Sequence, residues 1–356
     1  MYAPIPPDPA APSVRVNLYS DTQTRPTRAM RAAMLDAEVG DEQLSLDPTV
    51  NALCARVAVL LGKEAAMFLP SGAMCNSVAI LTHCRPGDEI IAHETAHIIE
   101  AEGGAPWALA GARVLGLSGP RGMFTVDDLR SVLRSPSRYS APQTLLAIEQ
   151  TSNLGGGAVW ALDTLHSLAA VARDHGMATH MDGARLMNAV VASGIKASDF
   201  TAGFDTVWID FTKGLGAPLG AVLAGSADMI GRAWRWKQRL GGSLRQAGIC
   251  AAGCLYALDH HVDRLAEDHA NAKRLAEGLS RIPGLTVETP ETNLVYADVA
   301  ASGRDPAGWA DALRAQGIMV SVMGRTRLRL CTHLDITRAD IDETIMAFAA
   351  IRAIWL

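Results

Sequence analysis

Two residues of this chain, Lys213 and Asp182, each follow an apolar run that is typical of a buried β-strand. Lys213 follows Thr-Val-Trp-Ile-Asp-Phe-Thr and precedes a glycine-rich loop, and Asp182 ends the run Ala-Thr-His-Met. A lysine shielded from water can form an imine with an aldehyde, and a carboxylate can hold a proton on a pyridine nitrogen. Pyridoxal phosphate needs these two anchors, so the pair predicts a site for that cofactor.

Both residues also have ordinary structural interpretations. Lys213 could be a loop lysine in a glycine-rich turn, and Asp182, which precedes Gly-Ala-Arg, could cap a helix. We interpret the other lysines as solvated surface charges: Lys63, Lys196, Lys237 and Lys273. The imine interpretation of Lys213 therefore depends on the groups around it.

Further segments could bind a phosphate, a ring or a carboxylate. The turn Ser71-Gly72-Ala73 lies between a predicted strand and a predicted helix, and the free N–H groups of a helix N-terminus suit phosphate. His97 could stack on an aromatic ring or move protons near neutral pH. Arg245 and Arg329 could bind anions through bidentate geometry. Each signal is weak alone, because such turns are common, a lone histidine is usually structural, and Arg329 could face water on its strand.

Alternating strand and helix patterns place these residues in a predicted α/β sheet. Apolar runs predict strands at 65–69, 89–92, 113–116, 145–149, 178–181, 206–211 and 221–224. Apolar residues at three- and four-residue spacing predict helices over 27–41, 47–62, 74–84, 125–133 and 163–174. The alternation predicts a largely parallel sheet with helices on both faces, which binds ligands at the carboxyl ends of its strands.

The pattern changes near residue 245. A helical stretch over about 245–281 precedes short strands at 286–288, 294–298, 319–322 and 327–331, with helices at 306–316 and 337–352. We therefore predict an extended or disordered arm over 1–14, a large cofactor-binding domain over 15–245, and a small α+β domain over 246–356 that includes a linking helix.

The composition narrows the function class. The 356 residues are 49% hydrophobic and 19% charged, with a net charge of −5 and a pI near 6.1, which argues against nucleic acid as the main partner. No run of about 18 apolar residues predicts a membrane span. The proline-rich start lacks the pattern of a secretion signal, and the six cysteines form no CxxC pair. We expect a cytoplasmic protein with free thiols and no metal site.

Several spaced motifs resemble the L-threonine aldolase family, which belongs to fold type I of the pyridoxal phosphate enzymes. The resemblance covers nearly the whole chain after the arm. It is carried by Asn-Leu-Tyr-Ser-Asp-Thr-Gln-Thr-Arg-Pro-Thr at 17–27, Gly-Asp-Glu at 40–42, Pro-Ser-Gly-Ala-Met-Cys-Asn at 70–76, His-Met-Asp-Gly-Ala-Arg-Leu at 180–186, Thr-Lys-Gly-Leu-Gly-Ala-Pro at 212–218, Leu-Arg-Gln-Ala-Gly at 244–248 and Thr-His-Leu-Asp at 332–335. It implies a mainly parallel sheet of the seven-stranded type in the large domain.

The resemblance also implies roles around the cofactor. Lys213 would carry the internal aldimine, Asp182 would pair with the ring nitrogen, and His97 would stack on the ring. The phosphate would be held by Gly72, Ala73 and Arg245. The substrate carboxylate would be bound by Ser20, Arg329 and Arg185, the last of which also borders the cofactor.

The implied reaction is cleavage of an L-β-hydroxy-α-amino acid to glycine and an aldehyde through a glycine quinonoid. Two arginine contacts would fix the torsion at Cα so that the breaking bond stands perpendicular to the ring. The implied partners are a small amino acid substrate and further copies of the chain, in a homotetramer built from dimers with active sites at the subunit interface.

The chain departs from the family pattern at three positions. Tyr19 replaces an arginine of the opening motif, and Ala73 replaces a threonine of the phosphate turn. Ser152, in Glu-Gln-Thr-Ser-Asn, takes the place of a histidine near the substrate β-hydroxyl. Because serine alone is no base at neutral pH, we expect His97 or an ordered water to take that role. We also expect relaxed selectivity at Cβ, with phenylserine fitting better than threonine.

Other functions remain as alternatives. The main one is β-elimination or serine hydroxymethyl chemistry on the same cofactor, and a transaminase is less favoured. A non-catalytic protein that binds pyridoxal phosphate is a remote alternative. The missing glycine fingerprint disfavours a nicotinamide-dependent dehydrogenase.

Overall fold

The computed structural model describes residues 13–354, so nearly all of the predicted arm over 1–14 lies outside the described residues. The strands are β1 Val16–Asn17, β2 Ala65–Leu69, β3 Glu89–His93, β4 Arg113–Leu117, β5 Gln143–Glu149, β6 Ala178–Gly183, β7 Thr206–Asp210, β8 Ala221–Gly225, β9 Thr286–Val287, β10 Leu294–Asp298, β11 Ile318–Met319, β12 Ser321–Met323 and β13 Arg327–Cys331. The helices are α1 Arg28–Leu35, α2 Pro48–Leu60, α3 Gly72–His83, α4 His97–Glu100, α5 Ala105–Ala110, α6 Val126–Val132, α7 Leu162–Asp174, α8 Leu186–Ser193, α9 Ala197–Thr201, α10 Ala227–Arg239, α11 Gly248–His260, α12 Leu265–Leu279, α13 Pro306–Ala315 and α14 Arg338–Ile354.

The larger of two compact units, Thr24–Ala266, contains a seven-stranded sheet. Its strand order is β2-β8-β7-β6-β5-β3-β4, and all neighbours are parallel except those of β8, which runs antiparallel to β2 and β7. Strands β3, β7 and β8 are buried along their whole length, as expected for a sheet covered on both faces. The predicted fold class, a mainly parallel α/β sheet, is confirmed.

The second unit contains the described residues up to Gln23 and those from Glu267 onward. Strand β1 pairs in parallel with β11, and a separate antiparallel sheet has the order β12-β13-β10-β9. Its core includes Trp309 and Phe348, whose rings stack with centroids 5.2 Å apart. The split differs from the predicted boundary at 245 because α11 packs against α1 and α2 of the larger unit.

Three predicted elements end differently from expectation. The helix predicted over 27–41 ends at Leu35 with Asp36 as its C-cap, and farther along the Gly40 N–H donates to Asp47 Oδ2 at 3.2 Å. The helix predicted over 245–281 is divided into α11 and α12; buried His261 caps α11 and bonds the Leu215 carbonyl through Nδ1 at 2.7 Å. The strand predicted at 319–322 is split between β11 and β12, which belong to different sheets.

Lys237 and Lys63 are not the solvated charges that the sequence predicted. Lys237 is 0% exposed, with its amine bonded to Glu42 Oε1 and 4.2 Å from the centre of the Trp234 ring. Lys63 donates to the carbonyl oxygens of two residues near the end of α9. Among the described helices, none is both long and apolar enough to cross a membrane.

Candidate active site

Three polar residues, Glu149, Asp182 and Lys213, lie at or just after the carboxyl ends of three adjacent strands. In the sheet register Glu149 of β5 pairs with Asp182 of β6, and Asp182 pairs with Trp208 of β7. Lys213 follows the end of β7 by three residues. Since ligands of open α/β sheets bind at this edge, the strands bring Asp182 and Lys213 to one place.

Lys213 is mostly shielded from solvent, with 17% of its side chain exposed. Its Nζ lies 3.0 Å from Asp210 Oδ2 and 5.8 Å from the centre of the Trp208 ring. The Thr24 hydroxyl donates to the Lys213 carbonyl at 2.8 Å and fixes the backbone there. The amine is therefore held over an indole face and beside a carboxylate.

Asp182 is buried and accepts two hydrogen bonds. Its Oδ2 accepts from Asn76 Nδ2 at 2.8 Å, and its Oδ1 accepts from the Ala184 N–H at 3.0 Å. Helix α8 begins at Leu186 with Arg185 as its N-cap, so Asp182 does not cap that helix. An ionised carboxylate has about four acceptor positions, so Asp182 can accept a further donor such as a protonated ring nitrogen.

The predicted phosphate turn is the start of α3. Ser71 caps the helix by accepting from the Met74 N–H at 3.3 Å, and the first-turn N–H groups of Gly72 and Ala73 have no partner within the helix. A Cβ built on Gly72 would lie 2.5 Å from Cζ3 of Trp208, so only glycine lets the helix start so near the indole. The helix N-terminus and the surroundings of Lys213 thus share Trp208.

His97 lies at the start of α4 between two carboxylates. Its backbone N–H donates to Glu149 Oε2 at 2.9 Å, and its ring Nδ1 lies 2.8 Å from Glu102 Oε1. The Glu102 hydrogen bond raises the pKa of His97, and the charges of Asp182 and Glu149 act in the same direction. His97, Glu102 and Asp182 each place one side-chain nitrogen or oxygen atom within 4.8 Å of the other two. Asn76 Nδ2 donates to both carboxylates. Oε2 of Glu102 is buried with no hydrogen-bond partner among the described residues.

Arg185 lies in the same region, beside the loop that follows β5. It is 5% exposed; its backbone N–H donates to the Gln150 carbonyl at 3.3 Å and its Nη1 to Asn153 Oδ1 at 3.3 Å. This loop carries Ser152, so Arg185 and Ser152 belong to one part of the site.

Ser152 faces a glycine-rich loop. It is 4% exposed, and its N–H donates to the Ala158 carbonyl at 3.1 Å. A Cβ built on Gly122 would lie 2.9 Å from the Ser152 Cβ and closer still to Oγ, and one built on Gly155 would lie 2.7 Å from Oγ. The neighbouring backbone therefore leaves little room for a side chain larger than serine.

Arg245 makes contacts here with Asp41 and Glu42. It is exposed, and its Nη1 lies 2.9 Å from Asp41 Oδ2, while its carbonyl accepts from the Glu42 N–H at 3.0 Å. Ser20 and Arg329 belong to the second unit, where Nη2 of Arg329 donates to the carbonyl of Tyr19 at 3.3 Å. That contact brings Arg329 beside the segment that carries Ser20.

Four residues of the site were missed from the sequence: Asn76, Glu102, Glu149 and Trp208. The available signals were modest. Asn76 lies one helical turn after Gly72 and shares its face of α3, and Trp208 lies on the same strand as the approach to Lys213. Glu102 and Glu149 show their role only through their contacts.

The family model for beta-eliminating lyases matches residues 17–302. A low specificity L-threonine aldolase of Escherichia coli (strain K12) is 39% identical over 345 residues, covering 95% of this chain and 99% of the relative. Low-specificity L-threonine aldolase 1 of Arabidopsis thaliana is 35% identical over 340 residues, covering 94% and 95%. The chain belongs to the beta-eliminating lyase family, among the L-threonine aldolases. The predicted family is confirmed, and members of this family are pyridoxal phosphate-dependent lyases.

A solved structure is similar in fold to this chain. The Leishmania major threonine aldolase has a TM-score of 0.82 with 20% identity, covering 95% of this threonine aldolase family member and 99% of that chain. At this identity the likeness concerns the fold alone.

Proposed function

We propose that this family member cleaves L-β-hydroxy-α-amino acids to glycine and an aldehyde with pyridoxal phosphate as cofactor. The observation that carries the proposal is the placement of Lys213 and Asp182 around Trp208 at one sheet edge, next to the N-terminus of α3. The named activity of the Escherichia coli and Arabidopsis thaliana relatives supports the choice of reaction.

The donor set fits the cofactor. Lys213 supplies an amine for its aldehyde, Asp182 supplies an acceptor for its ring nitrogen, and the first N–H groups of α3 suit its phosphate. The lack of a side chain at Gly72 keeps that helix start clear. Pyridoxal phosphate, when bound, supplies an electron sink for the carbanion formed at the substrate Cα.

The chain's own residues would divide the remaining work. Asp182 would keep a proton on the ring nitrogen, and His97 would lie against the ring. The hydrogen bond of His97 Nδ1 to Glu102 leaves Nε2 as the nitrogen for proton transfer, so we propose that Nε2, or a water beside it, takes the β-hydroxyl proton. The Arg185 guanidinium, a cation, would bind the anionic carboxylate of the substrate.

Three roles are carried over from the motifs alone. Ser20 and Arg329 are proposed as ligands of the substrate carboxylate, and Arg245 as a ligand of the cofactor phosphate. Arg245 is exposed and paired with Asp41 here, which is compatible with use by a second copy of the chain. We also propose that the protein is cytoplasmic and forms a homotetramer.

The substrate preference is proposed from Ser152. The family's histidine is absent at this position, so contacts to the β-hydroxyl are fewer and selectivity at Cβ should be relaxed. We propose that the enzyme accepts threonine, allo-threonine and phenylserine, and prefers phenylserine. Retro-aldol turnover of the three substrates tests this, and a strong preference for threonine would contradict it.

The central test compares Lys213→Ala with Lys196→Ala, a matched change at an exposed lysine. With pyridoxal phosphate added, Lys213→Ala should lose the visible absorbance of the lysine-bound cofactor and release no glycine from phenylserine. Lys196→Ala should behave as wild type. If Lys213→Ala keeps a normal spectrum, the assignment of Lys213 is wrong.

β-Elimination is a second candidate, because the matching family model is described as beta-eliminating lyase. Elimination from a β-hydroxy amino acid gives a keto acid and ammonia instead of glycine and an aldehyde. Analysis of the products from one substrate separates the two reactions.

A further inference from the structure

Asn76 is a fully buried amide that joins the carboxylates of the candidate site to a hydrogen-bonded line of neutral side chains. The line consists of His180, Thr206 and His83. Asn76 Nδ2 donates to Asp182 Oδ2 at 2.8 Å and to Glu102 Oε1 at 2.6 Å. Its Oδ1 accepts from Trp208 Nε1 at 2.7 Å and lies 3.0 Å from His180 Nε2. Because the indole N–H can only donate, the orientation of this amide is fixed.

The fixed amide sets the proton positions on its neighbour. His180 Nε2 faces the acceptor oxygen of Asn76 and must therefore carry a proton. A neutral imidazole carries one proton, so His180 Nδ1 is an acceptor, and the hydroxyl of Thr206, at 2.8 Å, donates to it. The Thr206 oxygen in turn accepts from His83 Nε2 at 2.9 Å.

Both histidines of the line are neutral near pH 7. Burial lowers the pKa of His180 to about 3, and repulsion from His83 adds to this. Burial lowers the pKa of His83 to about 4; the charge of Asp205 opposes this shift and that of Arg232 reinforces it. Every hydrogen bond of the line therefore donates in one direction, from His83 through Thr206, His180 and Asn76 to Asp182.

We propose that Asn76, His180, Thr206 and His83 are positioning residues whose aligned hydrogen bonds stabilise negative charge on Asp182 and so hold the proton on the cofactor ring nitrogen. The inference rests on the role proposed for Asp182 toward the cofactor. Its physical basis is that hydrogen bonds in a row polarise one another, and that a bond to a carboxylate is stronger than a bond between neutral groups.

Neutron diffraction of the deuterium-exchanged holoenzyme tests the direction of the line. We expect deuterium on Nε2 of His180, on Nε2 of His83, and on the Thr206 hydroxyl pointing to His180. Deuterium on Nδ1 of His180 would reverse the line and overturn the proposal.

Substitutions test its effect on the cofactor. Asn76→Leu should raise the dissociation constant of pyridoxal phosphate at least about tenfold, the loss expected for one hydrogen bond to a charged group. Thr206→Val, which acts through two further links, should raise it roughly two- to threefold. The matched control is Thr201→Val, which removes a fully buried hydroxyl that donates to the Leu61 carbonyl at 2.7 Å and should not change the constant.

A spectroscopic readout separates this role from general loss of stability. The pH at which the visible band of the bound cofactor changes should move upward by about one unit in Asn76→Leu and by less in Thr206→Val. A tenfold change in an equilibrium constant corresponds to a shift of about one pH unit. The shift is upward because a ring nitrogen without its proton makes the nitrogen joined to Lys213 easier to protonate. Thr201→Val should lower the unfolding midpoint and leave this pH unchanged.

If Thr206→Val moves neither the dissociation constant nor this pH more than Thr201→Val does, the line is only structural and the proposal fails. This comparison holds even if Asn76→Leu does not fold. If the neutron map and the spectra agree with expectation while no glycine is released from β-hydroxy amino acids, only the proposed function fails.

Discussion

Replacing Gly72 by alanine should damage both stability and cofactor binding, because the added Cβ would press against Trp208, which is packed in the core. The added Cβ would lie 2.5 Å from Cζ3 of a tryptophan that is 2% exposed in the core of the larger unit. Carbon atoms pack at about 3.5 Å, so the helix start or the indole must shift by roughly 1 Å. Overpacking of this kind costs about 1–3 kcal/mol. A shift of Trp208 also strains its hydrogen bond to Asn76, worth about 0.5–1.5 kcal/mol.

The matched control is Gly231→Ala in α10, where a built Cβ has no neighbour within 4 Å. That change should stabilise the helix by about 0.5–1 kcal/mol. Thermal unfolding followed by circular dichroism, at one protein concentration and with saturating pyridoxal phosphate, should place Gly72→Ala at least about 5 °C below wild type and Gly231→Ala at or above it. Gly72→Ala should also bind the cofactor at least tenfold more weakly, because a loss of about 1.4 kcal/mol of binding free energy is a tenfold loss of affinity. Equal unfolding temperatures and equal cofactor affinity in Gly72→Ala and wild type would refute the reasoning.

Three other changes probe separate parts of the fold and site. If neutral His97 is the base, kcat/KM should rise with pH through a value above 6.5, because Glu102 raises the His97 pKa and the base form exists above that pKa. Glu102→Gln should move this rise to lower pH. An unmoved profile would exclude His97. Ser152→His should lower the unfolding midpoint and not restore a threonine preference, since glycine backbone faces Ser152; a stable, threonine-selective variant would contradict this. Lys237→Met should destabilise the protein by about 3–5 kcal/mol by leaving Glu42 buried and unpaired, and Lys237→Met with Glu42→Leu should recover much of the loss in denaturant unfolding.

The strand pattern was sufficient to predict the sheet and the side of it that carries Asp182 and Lys213. Apolar runs that end in polar residues locate strand ends, and strand ends of parallel strands share one edge. The pattern could not reveal the burial of Lys237, because its partner Glu42 lies 195 residues away in the chain. The charge of Lys237 suggested a surface position, but its bond to Glu42 allows it to be buried.

Helix ends and interactions across the sheet were the other gaps. The segment that follows the early end of α1 is held by Asp47, which accepts from the Gly40 N–H. The role of Asn76 depends on an indole from β7 and an imidazole from β6, which meet only in the folded chain. A sequence pattern carries local spacing, and the contacts of Asn76 join residues more than one hundred positions apart.

The antiparallel strand β8 has a consequence for biosynthesis. Strand β2 pairs in the sheet with β8, and Leu69 meets Ala221 there. Translation proceeds at about 5–20 residues per second, so roughly 8–30 s pass between the synthesis of these two strands. During that interval Met67 and Phe68, both buried in the finished protein, lack their partner strand. The nascent chain therefore presents an apolar strand edge to chaperones and to other nascent chains until residue 225 has left the ribosome.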